Sequence, residues 1–276
     1  MTAGEEWNLV APNGSSYSLT LEDDDQVTVV QNAIDSVAVA ASLAVTLSKI
    51  AASLSGAGAE STNVILTSTN AYIDNSNITS LLDVDLLSQS DANILATVVA
   101  ATLAGSFGKT VGIGASIGAA VANNYIGYDA DGNMQLAAIQ AFVKDSDVEV
   151  TQGDLLLTAK ANQSISATVF AGSVAISASK IGVALSGSGV SAENQIGVDV
   201  KAYIEGIKSN GIHARKIILL AEDTSTINAL AGAASIAASC GKIGISVGIG
   251  VSLATNTISS DVNAYVLTAT GLGVNT

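Results

Sequence analysis

Short clusters of acidic residues are the first candidates for chemistry in this sequence. Asp129-Ala-Asp131-Gly-Asn133 sets oxygen donors at alternate positions, as the start of a calcium-binding loop does. A complete loop also needs Gly at its sixth position and Glu at its twelfth. Met134 and Gln140 stand there instead. A hairpin turn through Asp-Gly-Asn is the main reading, and a partial Ca2+ site at Asp129, Asp131 and Asn133 the alternative. Asp145/Asp147 and Asp83/Asp85 would each share one face of a strand. Paired carboxylates can do acid/base work on glycosidic bonds, but aromatic and basic residues that hold sugars are scarce. Glu22-Asp23-Asp24-Asp25 reads as a solvated corner or a cap on the elements that follow.

Other chemistries are excluded by composition. The 276 residues include one His, one Cys and one Pro. His213 and Cys240 alone support neither a Cys/His dyad nor a zinc site, and the many Ser have no His/Asp partners. His213 falls on the slot of Glu149 and reads as a surface residue. Cys240, whose counterparts are Phe107 and Ala178, reads as a small packing residue. Ten Lys and Arg against 24 Asp and Glu give a net charge of −14, which argues against nucleic acid. No catalytic residue and no cofactor is assigned.

The elements behind these residues repeat. Ala71-Tyr72-Ile73, Ala141-Phe142-Val143, Ala202-Tyr203-Ile204 and Ala264-Tyr265-Val266 form one series. Asn63, Asn194 and Asn256 each lie nine residues before the aromatic, whereas Asn124 lies eighteen before Phe142. That excess predicts an insertion at 127–135. Ile34, Ile94, Ile165 and Ile227, and Lys49, Lys109, Lys180 and Lys242, mark the same units. The chain therefore reads as a lead-in, 1–26, and an array, 27–276, divided at 27–82, 83–152, 153–212 and 213–276. The repeat is about 62 residues long, the spacing of Tyr203 and Tyr265.

Periodicity makes these units β. From Ile243 to Leu253 every odd position is Ile, Val or Leu and every even one Gly or Ser. On a strand this makes one aliphatic and one small-residue face; on a helix it scatters around the circumference. Val111–Val121 repeats the pattern. The rival reading makes Ser36–Ser55 or Ala229–Ala238 an Ala-rich helix. With so few bulky residues the core requires close backbone approach between flat sheets. Rungs of about 20 residues would give three per unit and a stack roughly 60 Å tall; strands as long as the alternation permits would give fewer, wider rungs.

Val198-Asp-Val-Lys-Ala-Tyr-Ile204, with Ile212-His-Ala-Arg-Lys-Ile-Ile-Leu-Leu-Ala-Glu-Asp223, resembles repeats of large secreted bacterial β-helix proteins. These include filamentous-haemagglutinin-like adhesins, autotransporter passengers and leukotoxin-like giant surface proteins. The resemblance covers residues 27–276. It implies an all-β, right-handed parallel β-helix (a β-solenoid), placed extracellularly or on the cell surface. It also implies a non-enzymatic structural or adhesive role in a larger surface or filament protein. A carbohydrate-active β-helix enzyme is the alternative, and a membrane-associating or pore-forming toxin fragment a second one.

The segments 33–59 and 227–255 are nearly uncharged, but Lys49 and Lys242 divide them and acids flank them, so spanning helices and membrane contact are not expected. Met1–Trp7 lacks the features of a signal peptide, so export is directed from elsewhere or this is a piece of a longer chain. The expected partners are further copies, end-to-end or edge-to-edge, and a host or matrix surface. Trp7, Pro12 and Glu22–Asp25 suggest a capped start, and uncharged Thr268–Thr276 a sticky end.

Overall fold

The computed structural model describes residues 6–10, 16–20, 26–267 and 272–274. Pro12, Glu22–Asp25 and most of Thr268–Thr276 lie outside them, so the expected cap and sticky end are not described. Strands β1 (Glu6–Val10) and β2 (Ser16–Thr20) pair antiparallel as a separate hairpin.

The remaining strands form one sheet with parallel pairing throughout. In chain order they are β3 (Gln26–Ile65), β4 (Thr69–Asp74), β5 (Asn77–Ser80), β6 (Val84–Ile126), β7 (Ala137–Val150), β8 (Leu155–Ala161) and β9 (Ser164–Ala178). Then follow β10 (Ile181–Ala214), β11 (Ile217–Asp223), β12 (Thr226–Cys240), β13 (Ile243–Leu267) and β14 (Leu272–Val274). No helix occurs among the described residues, and both Ala-rich candidates lie in strands. The architecture is compatible with a β-solenoid.

Four successive segments lie side by side as layers: β3–β5, β6–β7, β8–β10 and β11–β14. Strand β3 pairs with β6 from Gln26↔Leu86 to Ile65↔Ile126. Strands β8, β9 and β10 lie on β6, and β7 lies on the second half of β10. Strands β11, β12 and β13 continue on β8, β9 and β10. Ile34, Ile94, Ile165 and Ile227 are thereby direct neighbours in sequence of layers. Each repeat thus makes a single wide layer, and the option of three short rungs per repeat is set aside. The cause is the length of uninterrupted alternation, which lets one strand continue where a shorter rung would need a corner.

Each layer has a base and an arm. In the base, large side chains point inward: Leu86, Ile94, Ile126, Ile139, Leu155, Leu157, Ile165, Ile196 and Ile204 are fully buried in one cluster. In the arm the chain runs out, turns at Lys49, Lys109, Lys180 or Lys242, and runs back. The two runs pack face to face mainly through Gly, Ala and Ser, with Val98, Val169 and Val190 buried between them as well. A Cβ on Gly114 would stand 2.9 Å from the Ile176 carbonyl oxygen, and one on Gly118 3.0 Å from that of Gly172. Larger residues there would hold the two sheets apart.

Candidate functional site

Two ladders rise through the base. The Asn63, Asn124, Asn194 and Asn256 amides form a chain. Each Nδ2 donates to the next Oδ1, at 2.7, 2.8 and 2.8 Å, across sequence separations of 61, 70 and 62 residues. Asn124 and Asn194 are fully buried. An amide carries both donor and acceptor, so identical residues one layer apart satisfy one another. The Tyr72, Phe142, Tyr203 and Tyr265 rings stack with centroids 5.2, 4.9 and 5.2 Å apart and planes within 9°. Burial, followed by the neighbouring Tyr265 and Glu205, pushes the Tyr203 hydroxyl up to about 12.

A corner follows the aromatic ladder. Asn75, Asp145 and Gly206 have φ of 47°, 46° and 63°. They succeed Asp74, Lys144 and Glu205, which are paired in register. Asn, Asp and Gly are the residues that tolerate left-handed backbone. This column escaped the sequence reading because three different residue types fill it.

One carboxylate of each pair serves the backbone. Asp147 Oδ1 accepts the Asn210 and Gly211 N–H groups at 3.1 and 2.8 Å, while Asp145 occupies the left-handed corner. Asp83 Oδ1 accepts the Asp154 N–H at 2.7 Å, and Asp154 in turn holds Arg215 Nε at 2.9 Å. His213 lies beside Glu149, and its Nε2 is 3.1 Å from the Asn210 carbonyl.

Residues 127–135 form a tight turn closed by an antiparallel bridge between Tyr128 and Met134. Asp129 is its centre. One carboxylate oxygen accepts the Asp131 and Asn133 N–H groups at 3.0 and 2.9 Å; the other accepts Asn133 Nδ2 at 3.0 Å and Gln135 Nε2 at 3.4 Å. The Asn133 hydrogen bonds above all hold this carboxyl below its ordinary pKa. The Asp129 oxygens are thus occupied by protein donors, and no group of three or more His, Cys, Asp or Glu converges among the described residues.

The arm carries a hydroxyl seam inside. Ser55 Oγ donates to the Ser42 carbonyl at 2.9 Å, Ser116 Oγ to Thr102 Oγ1 at 2.7 Å, and Ser173 and Ser186 hydroxyls meet at 2.7 Å. In the last layer Gly248 replaces the second serine, and Ser235 Oγ is left buried without a partner. Outside, the arm is aliphatic. Val37, Val39, Leu43, Val45 and Leu47 are exposed on the outgoing run of the first layer, as are Ile113 and Ile117, Ile181 and Leu185, and Ile243–Leu253 on the returning runs. Cys240 is exposed on the outgoing face at the arm's tip, which corrects its assignment as a packing residue. Its parity on β12 points it away from the small-residue seam.

The only charges on the arm beyond its acidic base are the four tip lysines, all exposed. Ion pairs among the described residues lie in the base, at Lys160–Glu222, Lys201–Asp199 and Arg215–Asp154. No helix among the described residues is long and apolar enough to cross a membrane. No protein-family model, curated protein or solved structure matches this chain.

Proposed function

We propose that this chain is a right-handed β-solenoid of four coils and forms a non-enzymatic, structural or adhesive segment of a larger exported surface or filament protein. The supporting observation is the parallel register, which keeps the asparagine and aromatic ladders aligned through every layer. Such a stack grows by adding like layers, and each layer needs only its neighbours. Extracellular or cell-surface placement follows from this role. One carboxylate of each pair, Asp83 and Asp147, binds backbone N–H groups, which favours the structural reading over a carbohydrate-active one.

Assembly tests this role. Strands β3 and β13 pair on one side only among the described residues, so each offers an edge for another copy. The charge of −14 opposes such pairing, and salt screens it. Light scattering against ionic strength, with negative-stain microscopy, is expected to show end-to-end particles as salt rises. A strict monomer at high salt and millimolar concentration would overturn the filament role.

A further inference from the structure

We propose that the arm is a membrane-docking blade that enters an anionic phospholipid bilayer tip first. Three observations carry this. Both outer faces are aliphatic, whereas a soluble sheet normally gives one face to water. Between base and tip each run is uncharged in every layer: 36–48 and 50–59, 92–108 and 111–128, 164–179 and 181–192, 224–241 and 243–260. At the tip, Lys49, Lys109, Lys180 and Lys242 occupy the exposed turns between paired runs of adjacent layers.

The dimensions and charges select the occupant. From Val37 to Leu47 the run spans roughly 33 Å at about 3.3 Å per residue, against a hydrocarbon core of about 30 Å. A second copy laid on one face would leave the opposite aliphatic face in water; hydrocarbon covers both. The lysine tip attracts anionic headgroups, while Asp35, Glu60 and Glu193 at the base are repelled by them. Tip-first entry leads with the lysines and keeps the acids outside the hydrocarbon, whereas flat docking would press the acids onto the surface. Backbone groups at the β3 and β13 edges cannot stay unpaired in hydrocarbon, so insertion also draws copies together edge to edge. Membrane contact departs from the expectation drawn from the sequence; Lys49 and Lys242, which divide the candidate spans, lie at the turns of strand pairs.

Cys240, the single cysteine, makes the test direct. A polarity-sensitive dye is placed on Cys240, or on Asp131→Cys in a Cys240→Ser background at the base. Vesicles are phosphatidylcholine alone or with phosphatidylglycerol. The expected result is sedimentation with the anionic vesicles. The Cys240 dye is blue-shifted and quenched by acyl-brominated lipid, and the Asp131→Cys dye is unchanged. Lys109→Gln and Lys180→Gln each weaken binding about five-fold. Ile117→Glu and Leu43→Glu, exposed positions on opposite faces whose circular dichroism should match the parent, abolish it. No sedimentation, or a response from the base dye alone, overturns the proposal. Self-association in buffer without vesicle binding also overturns it and assigns the faces to a second copy. The salt-dependent assembly above is read without lipid, so either proposal can fail alone.

Discussion

Strand β10 contains two packing regimes in one uninterrupted stretch. Even-numbered residues point inward along its described length up to Ile204. In the arm half those residues are Gly182, Ala184, Ser186 and Ser188, and the aliphatics Ile181, Val183 and Leu185 face outward. In the base half the inward residues are Ile196, Val198, Val200 and Ile204, and Asp199 and Lys201 face outward. The pleat keeps its phase while residue size reverses. Inward direction is therefore set by the layer's path, not by hydrophobicity. The base is held by burial of large side chains. The arm is held by close backbone approach, the hydroxyl seam and the parallel ladder itself.

The largest expected effect separates the halves directly. Ile196→Ala, in the base, should cost about 2–5 kcal/mol through the cavity it leaves. Ile117→Ala, at an exposed aliphatic of the arm, should change stability by less than about 0.5 kcal/mol. Chemical denaturation of both variants checks this, and equal losses would erase the distinction. The reverse substitution sharpens it. Gly114→Val should cost about 1–3 kcal/mol by forcing the two runs of the arm apart, because its Cβ would meet the Ile176 carbonyl at 2.9 Å. A melting curve that does not move would mean the arm is open.

Register was legible in the sequence because like residues recur where layers touch. The Ile, Asn and aromatic spacings located the pairing of β6 with β9 and β10 even across the turn at 127–135, since an amide or ring stacks best on its own kind. The size reversal was not legible. Alternation at Ile243–Leu253 shows that two faces differ but not which one is inside, and burying the aliphatic face is the ordinary choice. The tip lysines were legible as markers of the units, but not as the turns of an arm with aliphatic outer faces. The left-handed column was hidden by its mixed residues, and the roles of Asp83 and Asp147 by backbone partners 60 or more residues away.

The ladders supply intermediate effects. Asn194→Ala leaves Asn124 Nδ2 without its acceptor in a fully buried place, and should cost about 1–3 kcal/mol. Tyr203 gives a pH signature. Its pKa is raised from 10.0 to about 12, so the fold favours the neutral phenol. That contribution is complete below pH 10 and is lost as pH rises through 12. The tyrosinate absorbance missing from Tyr203→Phe should titrate near 12, with the melting temperature of the parent falling over the same window. Titration of that absorbance near 10 would mean the ring is not stacked within the ladder. The smallest effect is at the end of the seam. Gly248→Ser offers Ser235 Oγ a partner but brings a Cβ 3.1 Å from the Ser235 carbonyl, so the expected change is within about 0.5 kcal/mol. A loss as large as that of Gly114→Val would show that the last layer packs more tightly than the seam allows.

Strand β10 keeps its pleat while the residue sizes reverse. Single cysteines along β10, in a Cys240→Ser background, test it most directly through reaction with a water-soluble maleimide in the native protein. Fast labelling is expected at Ile181→Cys, Val183→Cys and Leu185→Cys, and at Asp199→Cys and Lys201→Cys in the base. Ala184→Cys, Ser186→Cys, Val200→Cys and Ala202→Cys should resist. Labelling at Ala184→Cys and Ser186→Cys with protection at Val183→Cys and Leu185→Cys would place the aliphatic face inside and contradict it.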